Sequence, residues 1–160
     1  MSQPAETQGY GFNHTMIRVK DPKPSLEFYQ NVLGMSLIRD VRAEKKYETF
    51  TLYFLGYDRG GDSLKESHIM EREAILELTH NHGTETDENF QGYASGNTEP
   101  GRGFGHIAIT VPNIQEACGR FERLNVPFKK RLTDGKMKEI AFILDPDGYW
   151  VEIIQKGLRL

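Results

Sequence analysis

The sequence predicts an α+β protein built from two tandem β-α-β-β-β modules, each forming a curved mixed sheet. Three observations lead there. A short alternating strand at His14–Val19 reappears 92 residues later at His106–Val111. A helix-periodic stretch follows each copy. Each half then closes on an apolar strand with one acid at its centre, Glu77 in the first and Glu152 in the second.

Residues 1–10 are small and polar without periodicity and predict a flexible arm, with order from Phe12. In the first module, taken as 11–84, Thr15, Ile17 and Val19 alternate with His14, Met16, Arg18 and Lys20. That is a strand with one apolar and one polar face. Asp21-Pro22 breaks it, and Pro24-Ser25 opens a helix carrying Leu26, Tyr29, Val32 and Leu33, stopped by Gly34. Tyr- and Phe-rich residues 47–56 predict a long strand, 57–72 a polar loop, and Ala74–Thr79 another strand. Residues 80–103 are polar and Gly-rich, and the connector proper is placed at 85–102. In the second module, 103–157, strand His106–Val111 precedes a helix opened by Asn113 with Ala117, Phe121 and Leu124 in helical register. Ile140–Leu144 is a strand, Asp145-Pro-Asp-Gly148 a turn, and Tyr149–Ile154 the last strand.

Composition narrows the function classes. At 160 residues and 38% hydrophobic, the chain suits one domain or two very small modules. A net charge of −3 does not point to nucleic acid, and no apolar run approaches the roughly 18–20 residues that span a bilayer. The first residues lack the charged start and apolar run of a secretory signal. Cys118 is the single cysteine and lies on the inner side of a helical pattern, so it reads as core and not as half of a disulfide. A cytoplasmic protein is expected.

Overlaying the halves lays His14 on His106, Ile17 on Ile109, Val19 on Val111 and Tyr29 on Phe121. His14 and Glu77 are 63 residues apart, His106 and Glu152 only 46, and the 17 extra residues fall in the polar loops of the first half. An internal duplication follows. A single Glu in an apolar strand reads as a residue on the wet face of a sheet. Two, each mid-strand in a closing strand and each matched to a strand His, point elsewhere. A buried carboxylate must be paired, protonated or bound to a metal. Two His and two Glu suit a divalent first-row ion such as Zn²⁺ or Ni²⁺, whereas Ca²⁺ prefers all-oxygen shells. His80 and His82 form a His-x-His, but it enters a polar loop without a matched carboxylate pair. Asn13-His-Thr15 is a sequon without a secretion signal, and Gly101–Gly105 lacks the spacing of a nucleotide loop.

Several segments together resemble the glyoxalase I family of the vicinal oxygen chelate superfamily. They are His14–Pro22, Phe28-Tyr29 with Val32–Met35, Glu77–Asn81 with Gly83–Glu85, Gly103–His106, Asp134–Met137 and Asp145–Tyr149, in the family's order, over roughly residues 11–156. The resemblance implies a glyoxalase/bleomycin-resistance/dioxygenase-like fold and a lactoylglutathione lyase activity. In that reaction the methylglyoxal–glutathione hemithioacetal is isomerised through an enediolate to S-D-lactoylglutathione, which detoxifies methylglyoxal. It implies one divalent metal per site on His14, Glu77, His106 and Glu152, with Zn²⁺ favoured and Ni²⁺ the runner-up. Position 14 is His, as in the bacterial type, while the extra polar segments at 57–72 and 85–103 and the N-terminal arm belong to the long type. It makes Glu152 the main base, with Glu77 acting on the other side. It places glutathione against Arg18, Asn81, Arg102, Lys130, Lys136 and Met137, with Phe50, Leu52, Phe54 and Phe142 as candidate apolar lining. It implies a homodimer with sites shared between chains, and no nucleic-acid or membrane partner.

Overall fold

The computed structural model describes residues 3–42, 49–57 and 69–159. Most of the expected 57–72 loop (58–68) and positions 47 and 48 of the expected strand at 47–56 lie outside the described residues. In the first repeat, β1 (His14–Val19), β2 (Ser36–Arg42), β3 (Phe50–Gly56) and β4 (Ile75–Asn81) form one sheet in the order β1-β4-β3-β2. Strand β1 runs parallel to β4, and the other neighbours are antiparallel. In the second, β5 (His106–Val111), β6 (Phe128–Lys130), β7 (Ile140–Leu144) and β8 (Trp150–Gln155) repeat this as β5-β8-β7-β6, with β5 parallel to β8. The protein is therefore α+β with two four-stranded mixed sheets of one topology, as the sequence predicts.

Two strands escape location from the sequence, for physical reasons. In β2 the pairing slips between Leu37 and Arg39, so the two-residue alternation that marks a strand is broken by a bulge. The three residues of β6 are too few to show a period. Both sit at sheet edges, where one side of the backbone is unpaired within the sheet and the pattern is weakest.

The chain packs as two compact units. The first holds the chain up to Pro22 with Leu33–Asp87; the second holds Lys23–Val32 with the chain from Glu88 onward. In the first, β4 lies between β1 and β3, and Ile75 through His80 are all buried. Val19, Leu55 and Leu78 are fully enclosed. Each such side chain contributes about 1.5–3 kcal/mol by leaving water. In the second, α2 (Ile114–Arg123) lays Ile114, Cys118 and Phe121 into the core. Asn113 caps it: its Oδ1 accepts the Gln115 and Glu116 N–H groups at 3.0 and 3.2 Å. Leu124, expected on the inner face, is the C-cap and is 45% exposed; the buried stripe begins one turn earlier, at Ile114. Cys118 is buried, as its position in the helical pattern predicts. Among the described residues no helix is long and apolar enough to cross a membrane.

The first repeat's helical segment begins as α1 (Pro22–Glu27) and widens into a π turn over Phe28–Val32. The sequence pattern predicted one uniform helix. Phe28 and Tyr29, consecutive in this π turn, are both buried in the core. Tyr29 donates its hydroxyl to Asp145 Oδ2 at 2.8 Å, and Ser25 donates to Asp147 Oδ2 at 3.2 Å. Asp145 opens the Asp-Pro-Asp-Gly turn, closed by Gly148 N–H to the Asp145 carbonyl at 3.0 Å with Gly148 at φ 82°. Its Oδ1 accepts the N–H groups of Asp147 and Tyr149 at 3.0 and 2.8 Å.

Burial pushes the Asp145 carboxyl up from 3.8 to about 6, and the hydrogen bonds from Tyr29 and the backbone only partly oppose this. The folded chain thus favours the protonated acid more than the unfolded chain does. That stabilising preference is complete below pH 3.8 and is lost as pH rises through about 6. The integrated effect is about 3 kcal/mol. Asp145→Asn keeps an oxygen for the two N–H groups and removes the charge. Urea unfolding of both chains at a series of pH values should show the difference moving in favour of D145N by up to about 3 kcal/mol between pH 4 and 7.5. A difference independent of pH would contradict this account.

Candidate functional site

Each sheet presents one face on which a His and a Glu meet. In the first unit the β1–β4 register sets Met16 beside Glu77 and His14 beside Ile75. Alternate strand residues share a face, so His14, Met16 and Arg18 stand with Ile75, Glu77 and Thr79. Antiparallel β3 adds Phe54 opposite Glu77 and Leu52 opposite Thr79. The second unit repeats this place for place. Ala108 pairs with Glu152, His106 with Trp150, and Phe142 lies opposite Glu152.

The distances agree as closely as the registers. His14 Nε2 lies 3.3 Å from Glu77 Oε2, and His106 Nε2 lies 3.2 Å from Glu152 Oε2. Each imidazole also meets a phenyl ring edge to face, Phe54 at 6.2 Å and Phe142 at 5.3 Å. The His side chains are 35% and 41% exposed and the Glu side chains 12% and 16%. The carboxylates form the floor of each pair and the imidazoles its accessible rim.

One residue fixes which histidine nitrogen is free. Asn13 Nδ2 donates to the carbonyls of Ile69 and Arg72 at 3.0 and 2.7 Å, which determines the orientation of the amide. Its Oδ1 therefore faces His14 Nδ1 at 2.6 Å and can only accept. The proton of a neutral imidazole sits on Nδ1, and Nε2 presents its lone pair to a carboxylate oxygen. Glu77 Oε1 is occupied by the Thr79 hydroxyl at 3.1 Å, which leaves Oε2 for that contact. Two electron-rich atoms this close require a positive charge between them, a proton or a cation. A divalent ion with N/O preference fits this donor set. The four expected ligands come as two such pairs, one per unit. Among the described residues no group of three or more His, Cys, Asp or Glu side chains could hold a metal.

The other expected contacts are distributed as follows. Arg18 is exposed on the His14 face of β1, and Asn81 ends β4 on the Glu77 face. Arg102 pairs through Nε with Glu99 at 2.9 Å, both about 70% exposed. Lys130 shares a face with Phe142 and gives its ammonium to the carbonyls of Arg131, Met137 and Ile140 at 3.3, 2.5 and 2.8 Å. It thereby folds the loop on which Lys136 and the 53% exposed Met137 stand. The His80/His82 pair is spent on internal bonds. His80 Nε2 meets Glu85 Oε2 at 2.7 Å, and His82 Nε2 meets the Thr51 hydroxyl at 2.8 Å. The backbone N–H of Glu85 itself and then His80 hold the Glu85 carboxyl below its usual range. Sequence reasoning missed Asn13 and Thr79. The first was set aside as an idle sequon; the second carries a faint signal, a polar residue two places beyond a strand Glu.

A family model described as the Glyoxalase/Bleomycin resistance protein/Dioxygenase superfamily matches residues 11–153. The chain is 51% identical to a lactoylglutathione lyase of Pseudomonas aeruginosa, over 99% of this chain and 90% of that one. It is 50% identical to a lactoylglutathione lyase of Schizosaccharomyces pombe, covering 98% of this chain and 51% of that longer protein. Among solved structures it is similar to a trypanothione-dependent glyoxalase I of Leishmania major, 31% identical with TM-score 0.67, over 92% and 88% of the two chains.

The Asn13 contact carries its own test. Partners that orient a metal-ligating imidazole typically change metal affinity by about 10–100-fold when removed. Asn13→Ala should weaken divalent-metal binding by about tenfold or more, read by competition with a chromogenic chelator. Asn13→Asp keeps an acceptor but sets a carboxylate oxygen against the carbonyls of Ile69 and Arg72, so it should not recover the loss. Unchanged affinity in the alanine variant would contradict the role given to Asn13.

Proposed function

Because the chain belongs to the Glyoxalase/Bleomycin resistance protein/Dioxygenase superfamily, we infer from its closely related lyases and its duplicated site that it is a lactoylglutathione lyase. It isomerises the hemithioacetal of methylglyoxal and glutathione to S-D-lactoylglutathione. The observation that carries this reading is the His–Glu pair, present in both sheets at one register and one distance.

His14, Glu77, His106 and Glu152 together hold one divalent cation per site, Zn²⁺ ahead of Ni²⁺. When bound, the cation supplies Lewis-acid polarisation of the substrate carbonyl and a positive charge for the oxyanion that develops. Glu152 takes the proton from C1 of the hemithioacetal, and Glu77 acts on the opposite side as the proton returns at C2. Each carboxylate is the less exposed member of its pair, 12% and 16% against 35% and 41% for the imidazoles, which limits its contact with water. Glutathione carries two carboxylates, and the cations to meet them are at hand. Arg18 stands two residues from His14 on its face. Arg102 is tied only by an exposed pair worth about 0–1 kcal/mol, which a substrate carboxylate can displace. Asn81, Lys136 and Met137 complete the contacts. Lys130 holds the loop that carries the last two, and reaching the substrate itself would require it to release a carbonyl. Phe50, Leu52, Phe54 and Phe142 form the apolar wall for the S-substituent.

Each unit supplies two ligands, and a cation of this kind takes at least four donors. As the family resemblance implies, two chains pair, the His14–Glu77 face of one meeting the His106–Glu152 face of its partner, with two sites per homodimer. The buried, unpaired Cys118 suits a cytoplasmic setting.

Three outcomes are expected. The metal-stripped chain regains hemithioacetal turnover with Zn²⁺; a chain revived by Ni²⁺ and inert with Zn²⁺ would reverse the metal order. Glu152→Gln keeps some metal and loses nearly all turnover, since the amide oxygen can coordinate but accepts no proton; turnover like that of the wild type would remove Glu152 as the base. Mixing Glu77→Ala chains with Glu152→Ala chains restores activity after exchange, because a shared-site heterodimer has one intact site. No recovery after verified exchange would place each site within one chain.

A further inference from the structure

The two half-sites share His, Glu and Phe at corresponding places, and one of the positions where they differ lies beside the carboxylates. Thr79 follows Glu77 by two residues on β4, and Ile154 follows Glu152 by two on β8. Alternation puts each on the face of its Glu, and their strand partners correspond, Leu52 for Thr79 and Ile140 for Ile154. Thr79 is 7% exposed and donates its hydroxyl to Glu77 Oε1 at 3.1 Å. Ile154 fills the same place with hydrocarbon and has no donor to offer.

We propose that Thr79 is a positioning residue that pins Glu77 as a fixed metal ligand, and that the hydrocarbon at Ile154 leaves Glu152 the carboxylate able to swing toward substrate. The assignment rests on the lyase reading above. Glu77 has both oxygens engaged, Oε1 by Thr79 and Oε2 facing His14. Turning this carboxylate would break a buried hydrogen bond, a loss that opposes motion. Glu152 can turn past Ile154 without breaking a bond of that kind. Two carboxylates of one duplicated motif thus acquire different duties from one side chain each.

The test compares Thr79→Val, isosteric without a hydroxyl, with Thr79→Ser, which keeps it, and adds the converse Ile154→Thr. Metal release from each chain into excess chelator is timed without substrate, and kcat and KM are then measured separately. Thr79→Val should release metal about tenfold or more faster than wild type, with Thr79→Ser close to wild type. Equal release from wild type and Thr79→Val, or equal loss in Val and Ser variants, would overturn the pinning role. Ile154→Thr should lower kcat several-fold at unchanged KM and release metal no faster than wild type, by giving Glu152 a hydroxyl to hold it. An unaltered kcat in that variant would overturn the assignment of mobility to Glu152. Metal release decides the role of Thr79 even in a chain without turnover, whereas a wild-type chain that fails to isomerise the hemithioacetal would overturn the lyase reading and with it the role of Glu152.

Discussion

A carboxylate on the central closing strand of a sheet has to be balanced by positive charge. Glu77 lies on a strand whose neighbours from Ile75 to His80 are all buried, and water reaches only a small part of it. Burying an ion in such a place is costly unless it is paired or coordinated. The parallel register of the first and last strand in each sheet answers this by bringing an imidazole to within 3.3 Å in one unit and 3.2 Å in the other. A shift of one residue in that register would turn the His to the opposite face and leave the acid alone. The core residues around it, Val19, Leu55 and Leu78 in the first unit and Val151 and Ile153 in the second, therefore hold the site together as much as they hold the sheet.

Duplication made the two sites alike, and the differences show how they diverged. His, Glu and Phe are kept at corresponding places, so the donor pair and the ring beside it are common property. Arg18 in the first strand corresponds to Thr110 in the second, and Thr79 corresponds to Ile154. The first sheet thus carries an exposed arginine on the face of its Glu and a hydroxyl bonded to that Glu. The second carries neither, and offers instead a loop folded by Lys130. The proton transfer proposed above needs such inequality, since two identical carboxylates would compete for the same task.

Much of this could be read from the sequence because strand alternation and repetition are written in single residues. His14 and His106 open matching strands, and Glu77 and Glu152 interrupt otherwise apolar ones; each is visible without coordinates. What stayed hidden depends on bonds across the chain. Asn13 acts on His14 only because its amide is fixed by the carbonyls of Ile69 and Arg72, more than fifty residues away. The resemblance places Lys130 against glutathione, yet three carbonyls take its protons. No composition rule distinguishes an ammonium facing solvent from one that folds its own loop. The edge strands β2 and β6 were illegible for a different reason: a bulge and a length of three residues erase the period.

The helical segment of the first repeat shows that a sequence repeat and a compact unit need not coincide. Lys23–Val32 is flanked in sequence by β1 and β2 of the first sheet, yet it packs with the second repeat. Tyr29 closes on Asp145 and Ser25 on Asp147, so the turn that leads into β8 is held by residues encoded more than a hundred positions earlier. Strand β8 carries Glu152. The turn in front of β8 is thereby completed by the other repeat's helix, through a tyrosine hydroxyl and a carboxyl whose charge the burial disfavours. A second module cut free at the connector would lose that helix, and with it the donor that satisfies Asp145. The cost would fall on the very turn that positions β8. The polar stretch from 85 to 102 separates the repeats in sequence, and the π turn at Phe28–Val32 joins them in energy.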